Sequence, residues 1–256
     1  MRTFVMGDIH GNYSALVQCL QRSNFDKTTD RLIQLGDVVD GGPDSFACVE
    51  ELLSIKNLIA IRGNHDDWFR EFIETGYHSC EWNFGGESTA ISYLQRSKKE
   101  KLIRKSGRGY KVGLEPTDIP ERHLSFFSSQ IPWYIDEQNN CFVHAGFDRF
   151  NCFEGQRTEL YYWDRDLWQD ALNHLTEQLY NKDVEPFYIK TSFNHIFLGH
   201  TSTLHWNTNR PMKAGTIYNL DTGSGKDGKL TIMNVQTKEW FQSDVISSIE
   251  EVKEVN

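Results

Sequence analysis

Asp37 and Asp40 stand three residues apart in Gly36-Asp37-Val38-Val39-Asp40-Gly41-Gly42, directly behind the apolar run Leu32-Ile33-Gln34-Leu35. Other polar clusters share this character: Gly7-Asp8-Ile9-His10-Gly11, Gly63-Asn64-His65-Asp66, His144-Ala145-Gly146 and Gly199-His200-Thr201. They offer carboxylate, amide and imidazole, and no thiolate. Such a mixed oxygen and nitrogen set suits Mn²⁺, Fe or Zn²⁺ better than a Cys-rich structural zinc site. A carboxylate such as Asp37 can bridge two cations about 3.5–4 Å apart, the separation of two-metal hydrolytic sites. Taken singly, each residue has a blander reading. An Asp after a strand is a turn or cap residue, and a His at a strand end is a core polar group.

The elements that must position these side chains tip the balance. Thr3-Phe4-Val5-Met6, Leu32 to Leu35 and Leu58-Ile59-Ala60-Ile61 are short apolar runs with the character of buried strands. Apolar residues at helical spacing follow each one: from Asn12 to Ser23, from Pro43 to about Ile55, and from about Asp67 to Thr75. This alternation predicts a parallel sheet with crossover helices. Cys141-Phe142-Val143 and His195 to Leu198 restore the rhythm later, and 216–220, 230–235 and 239–242 read as antiparallel strands. Asp8, Asp37, Asn64, His144 and His200 therefore each fall at or just past a strand end. In open α/β sheets those ends are where ligands bind.

The ordered set GDIHG, GDVVDGG, RGNHD, HAG and GHT resembles the calcineurin-like metallophosphoesterases, and within them the bacterial and phage branch of the phosphoprotein phosphatases. The likeness runs from residue 3 to about 243. It implies a metallo-dependent phosphatase fold of class α/β: two mixed sheets sandwiched between helices (α/β/β/α). It implies two divalent metal ions, Mn²⁺ before Fe or Zn²⁺. Asp8 and His10 would hold the first, Asp37 would bridge, and Asn64, His144 and His200 would hold the second. His65 would be the general acid, oriented by Asp40. Arg62 would bind substrate phosphate, as would Arg165 in Trp163-Asp164-Arg165. The implied reaction is hydrolysis of phosphate monoesters by direct attack of a metal-bridging hydroxide, of the serine/threonine protein phosphatase type. The alternatives are a dinucleoside polyphosphate hydrolase, a nucleic-acid end-processing phosphodiesterase and, from a different class, a non-catalytic phosphate-binding module. The chain departs from the family pattern at Gly41, where an arginine is expected, and at Asp66, where a glutamate is usual. Gly41 removes one phosphate clamp and leaves room for a bulkier or diester substrate.

Composition sets the remaining bounds. The 256 residues suit a single catalytic domain, expected over 1–246 with a helical insertion or cap over about 76–137 and a polar tail over 247–256. A net charge of −9 argues against broad nucleic-acid binding. The basic segment 96–111 runs against that total, with Arg96, Lys98, Lys99, Lys101, Arg104, Lys105, Arg108 and Lys111 opposed only by Glu100. It reads first as a solvated helix face and second as a dock for a phosphorylated partner or RNA. Cys19, Cys48, Cys80, Cys141 and Cys152 show no CxxC spacing and read as reduced thiols. No apolar run is long enough to span a membrane and no signal peptide is visible, so a cytoplasmic protein is expected. Asp221-Thr222-Gly223, after a strand, reads first as a structural turn and second as a lining of the site, and His205 carries no motif.

Overall fold

The computed structural model describes residues 1–99, 104–106, 109–181 and 183–249. Two mixed five-stranded sheets face each other. The first has strand order β12-β11-β1-β2-β3, built from β1 (Thr3–Met6), β2 (Arg31–Gln34), β3 (Asn57–Ala60), β11 (Thr231–Asn234) and β12 (Trp240–Gln242). The second has order β6-β7-β8-β10-β9, from β6 (Trp133–Ile135), β7 (Cys141–Val143), β8 (Ile196–Leu198), β9 (Met212–Ala214) and β10 (Ile217–Asn219). As the alternation predicts, β1, β2 and β3 pair in parallel, Phe4 with Leu32 and Leu32 with Leu58.

Strand alternation explains the layering. Successive side chains point to opposite faces. Val5 and Ile33 point inward to Phe142, Phe197 and Tyr218 of the second sheet. Phe4, Met6 and Leu32 point outward to the first helical layer. That layer holds α1 (Tyr13–Arg22), α2 (Ser45–Leu53), α3 (Asn64–Thr75), α4 (Gly86–Arg96) and α5 (Glu121–Ser129). The short α6 (Leu160–Trp163) and the longer α7 (Asp166–Tyr180) cover the second sheet through Tyr161, Leu167, Trp168 and Ala171. Both faces of β1 are apolar because both are covered. No helix among the described residues is long and apolar enough to cross a membrane.

The structure departs from the expected elements in several places. The helix expected from Asp67 starts at Asn64, where Asp66 accepts the Gly63 N–H at 3.2 Å and so caps the first turn. The strands at the C-terminal end do not form one antiparallel group. β10 lies in the second sheet, parallel to β8 and antiparallel to β9, whereas β11 pairs antiparallel with β1 and β12 in the first. The stretch 76–137 holds α4 and α5, but also an antiparallel pair, β4 (Arg104–Ser106) with β5 (Gly109–Lys111), and the strand β6. Part of the basic segment 96–111 lies outside the described residues. Of its described members, Arg96 stacks on the Phe46 ring at 5.1 Å and Lys99 pairs with Asp118 at 2.7 Å.

Candidate metal centre and active site

The polar clusters meet at the ends of strands from both sheets. The turn after β1 is stitched to the turn after β2 by backbone bonds, with His10 N–H donating to Asp37 O at 2.8 Å and Gly11 N–H to Val38 O at 2.8 Å. His10, Asp37, Asp40 and His200 all take φ between 52° and 72°. Each such non-glycine residue costs about 1–3 kcal/mol and persists only where its surroundings over-determine it. Two close approaches have the same effect. A Cβ on Gly63 would lie 2.1 Å from Asp37 Oδ1, and one on Gly199 would lie 2.0 Å from Asp8 Oδ1. Glycine at both positions lets the carboxylates press against neighbouring backbone.

Asp37 stands at the middle. Its Oδ1 accepts the His65 N–H at 2.9 Å, and its Oδ2 lies 3.7 Å from His10 Nε2 and 3.4 Å from His144 Nε2. Ligand-type atoms of His10, Asp37 and His65 all fall within 4.8 Å of one another, and so do those of Asp37, His144 and His200. Asp37 is the member common to both groups. Asn64 Oδ1 joins the second, 3.1 Å from His144 Nε2 and 2.9 Å from His200 Nδ1. Asp8 belongs to neither group among the described residues; its Oδ2 accepts the His200 N–H at 3.0 Å.

The donor set fits divalent cations for a reason visible in the hydrogen bonds. His144 Nδ1 lies 2.8 Å from Leu35 O, and His10 Nδ1 lies 2.9 Å from Asp40 O. A carbonyl only accepts, so each Nδ1 carries a proton, and Nε2, on the Asp37 side, is the nitrogen left to bind a cation. Backbone carbonyls that fix the tautomer in this way are the usual outer partners of metal-binding histidines. Asp8 Oδ1 and His200 Nε2 are buried with no hydrogen-bond partner among the described residues. Burial, then the charges of Asp221 and Asp37, push the Asp8 carboxyl well above its usual range. Burial also raises Asp221, and it raises Asp66, helped by Asp37, to about 6. Four buried carboxylates and several lone pairs converge here, and bound cations would compensate both.

The cavity beside this cluster has a volume of about 390 Å³ and is lined by His10, Asp37, Asn64, His65, His200 and Arg165, among others. Arg165 Nη1 donates to Thr201 Oγ1 at 2.8 Å. Arg62 is not among the lining residues; its guanidinium donates to Gln130 O at 3.1 Å and lies 3.8 Å from Asp67. His65 Nδ1 lies 3.0 Å from Asp40 Oδ2. Burial pushes the His65 ring down, but Asp37 and the hydrogen-bonded Asp40 outweigh it and raise the ring to about 9. Burial opposes ionisation of Asp37 too, yet His144, His65 and His10 hold it far below the usual carboxylate range.

Sequence reasoning gave several residues no role in the site, or, for Asp221, only a second reading. Trp82 Nε1 and Thr89 Oγ1 both donate to Asp40 Oδ1, at 3.1 and 2.7 Å. Asp221, His205 and Lys226 line the cavity. Asp221 does serve a turn, accepting the Gly223 N–H at 3.0 Å, but it also faces the metal-ligand-type residues. Its position after a strand, in line with Asp37, was the available signal.

Together, fold and site define a metal-dependent phosphoester hydrolase. The family model for calcineurin-like phosphoesterase matches residues 1–203, and the chain belongs to that family. The chain is similar to serine/threonine-protein phosphatase 1 of Salmonella typhimurium, 24% identical over 239 residues with 91% of each chain covered. It is also similar to the symmetrical bis(5'-nucleosyl)-tetraphosphatase of Coxiella burnetii, 28% identical over 270 residues with 93% of this chain and 90% of the relative covered. The solved metallophosphoesterase from Sphaerobacter thermophilus has the same fold, with a TM-score of 0.53 at 16% identity over 96% of this chain and 89% of that one.

Proposed function

We propose that the chain hydrolyses phosphate monoesters in a single displacement by water, with the relatives named as serine/threonine-protein phosphatases as the nearest functional analogy. The observation that carries this reading is the shared position of Asp37 between two groups of ligand-type atoms, His10 with His65 and His144 with His200; Asp8 enters through its buried, unpartnered Oδ1 and His65 is kept for the acid role. In this reading, Asp8, His10 and Asp37 would hold one divalent cation, and Asp37, Asn64, His144 and His200 would hold a second, with Mn²⁺ the first candidate. Bound cations supply Lewis-acid polarisation of the phosphoryl group and lower the pKa of water.

The protein's own residues do the rest. His65 enters as imidazolium, its Nδ1–H held by Asp40, and gives its Nε2 proton to the leaving oxygen. Arg165 reaches the cavity and would clamp a non-bridging phosphoryl oxygen. Arg62 would act behind it, since Gln130 O already engages its guanidinium. The 76–137 stretch would serve the site, because Trp82 and Thr89 fix Asp40. A second reading, hydrolysis within a polyphosphate chain, is favoured by the absence of a side chain at Gly41, which lines the cavity.

The test is turnover of p-nitrophenyl phosphate and of glycerol 2-phosphate by Mn²⁺-loaded protein, with Asp37→Asn compared on the first and His65→Ala on the second. Turnover that needs Mn²⁺ and falls in both variants supports the reading. Metal-independent turnover, or full activity in Asp37→Asn, overturns it.

A further inference from the structure

Gly41 takes φ +102°, a conformation that L side chains rarely adopt, so this backbone has no place for the arginine of the family pattern. Two segments close around it instead. On one side, Gly41 N–H donates to Gly85 O at 3.2 Å and to Ser88 Oγ at 2.9 Å. This backbone contact carries the neighbouring Phe84 to the cavity mouth, where the residue is 72% exposed. Phe84 has no ring partner among the described residues.

On the other side, a Cβ on Gly41 would face Gly225 O at 3.8 Å. The segment holding Gly225 is fastened to the turn that bears Asp8 and His10. Ser224 Oγ donates to Ile9 O at 2.8 Å, and Asn12 Nδ2 donates to Ser224 O at 2.8 Å. Within the segment, Lys226 N–H donates to Gly223 O at 2.9 Å. Lys226 is exposed, lines the cavity and has no carboxylate partner among the described residues. In a chain of net charge −9, an unpaired ammonium on a fixed segment beside a metal-type centre is a place for an anion.

We propose that Phe84 and Lys226, flanking Gly41, form a leaving-group subsite for nucleoside phosphates. The inference rests on the phosphoester hydrolase reading of the same cavity. The base stacks on the Phe84 ring, and Lys226 binds the phosphate beyond the scissile one. Ring and cation stand on the two segments that flank Gly41, and both line the same cavity. In hydrolysis, water oxygen bonds to phosphorus and the bond to the leaving phosphate oxygen breaks with its electron pair. His65 supplies the proton that this oxygen takes up. Stacking of a base on an aromatic side chain is worth about 1–3 kcal/mol, so removing it costs at least about fivefold in affinity.

Turnover of ADP and of glycerol 2-phosphate, with calorimetric titration of AMP, tests this in wild-type protein, Phe84→Ala, Lys226→Ala and Lys226→Arg. Both side chains are exposed, so the variants keep the fold. The expected result is a rise of at least about fivefold in KM for ADP in Phe84→Ala, and a rise in KM for ADP in Lys226→Ala. KM for glycerol 2-phosphate stays unchanged, AMP affinity falls in parallel, and Lys226→Arg restores it. Equal effects on both substrates, or unchanged AMP affinity in both alanine variants, overturn the subsite. A wild-type protein that turns over neither substrate overturns the hydrolase reading, and the AMP titration then decides the subsite by itself.

Discussion

Asp40 joins His65 to the helical layer: one carboxylate oxygen lies 3.0 Å from His65 Nδ1, and the other accepts from Trp82 Nε1 and Thr89 Oγ1. Asp40 is fully buried, so these bonds fix the carboxylate, and through it the imidazole. Trp82→Phe keeps most of the ring and removes one donor. It should lower stability by about 1.5–3 kcal/mol, the worth of a hydrogen bond to a charged group. It should also lower kcat with little change in metal content. Chemical denaturation and elemental analysis check the two effects separately; unchanged kcat would mean that Trp82 only fills space.

His65 should govern the alkaline side of the rate profile. Its acid form is the active one, so turnover is lost as pH rises through its pKa. The raised value of about 9 owes much to Asp37 and Asp40, and bound cations would offset part of the Asp37 contribution. Asp40→Asn should therefore move the alkaline limb to lower pH. His65→Ala should keep its metals and lose rate mainly on alkyl phosphates, whose leaving groups depend on protonation. Equal losses on aryl and alkyl phosphates would remove the acid role.

Gly63→Ala places a methyl group 2.1 Å from Asp37 Oδ1 and 2.2 Å from the Asp37 backbone N. Asp37 must shift. A loss of about 10–100-fold in metal affinity is expected, the scale of disturbed support around a metal site. Calorimetric titration with Mn²⁺ measures it, and unchanged affinity would show that the turn yields instead.

Asp221→Asn separates two roles by sign. The amide oxygen can still accept the Gly223 N–H, so the turn survives. Removing the charge relieves repulsion with Asp8 and Asp37, and the metal-free variant should melt higher than wild type. Metal affinity should fall by about tenfold. A residue that merely shapes the turn would show neither change.

These predictions mark what was legible in the chain beforehand. Asp8, Asp37 and Asn64 lie at strand ends, and strand ends are visible as short apolar runs followed by glycine and a polar residue. The pairing of His65 with Asp40 followed from the family pattern and has the matching geometry. Trp82 and Thr89 were illegible because their bonds to Asp40 span 42 and 49 residues and follow no local period. Arg62 was read from its place before Gly63, but Gln130 O competes for its guanidinium, and no local pattern announces such a carbonyl. The strand Ile217–Asn219 looked like its C-terminal neighbours; only the partner, β8, puts it in the other sheet.

The shared position of Asp37 is the centre of the account, and metal stoichiometry tests it most directly. Chelator-treated protein titrated with Mn²⁺ by calorimetry, with bound metal counted by elemental analysis, should take up two equivalents. Asp37→Asn should lose affinity at both sites together. Uptake of fewer than two equivalents by wild-type protein, or two retained at wild-type affinity by Asp37→Asn, would contradict it.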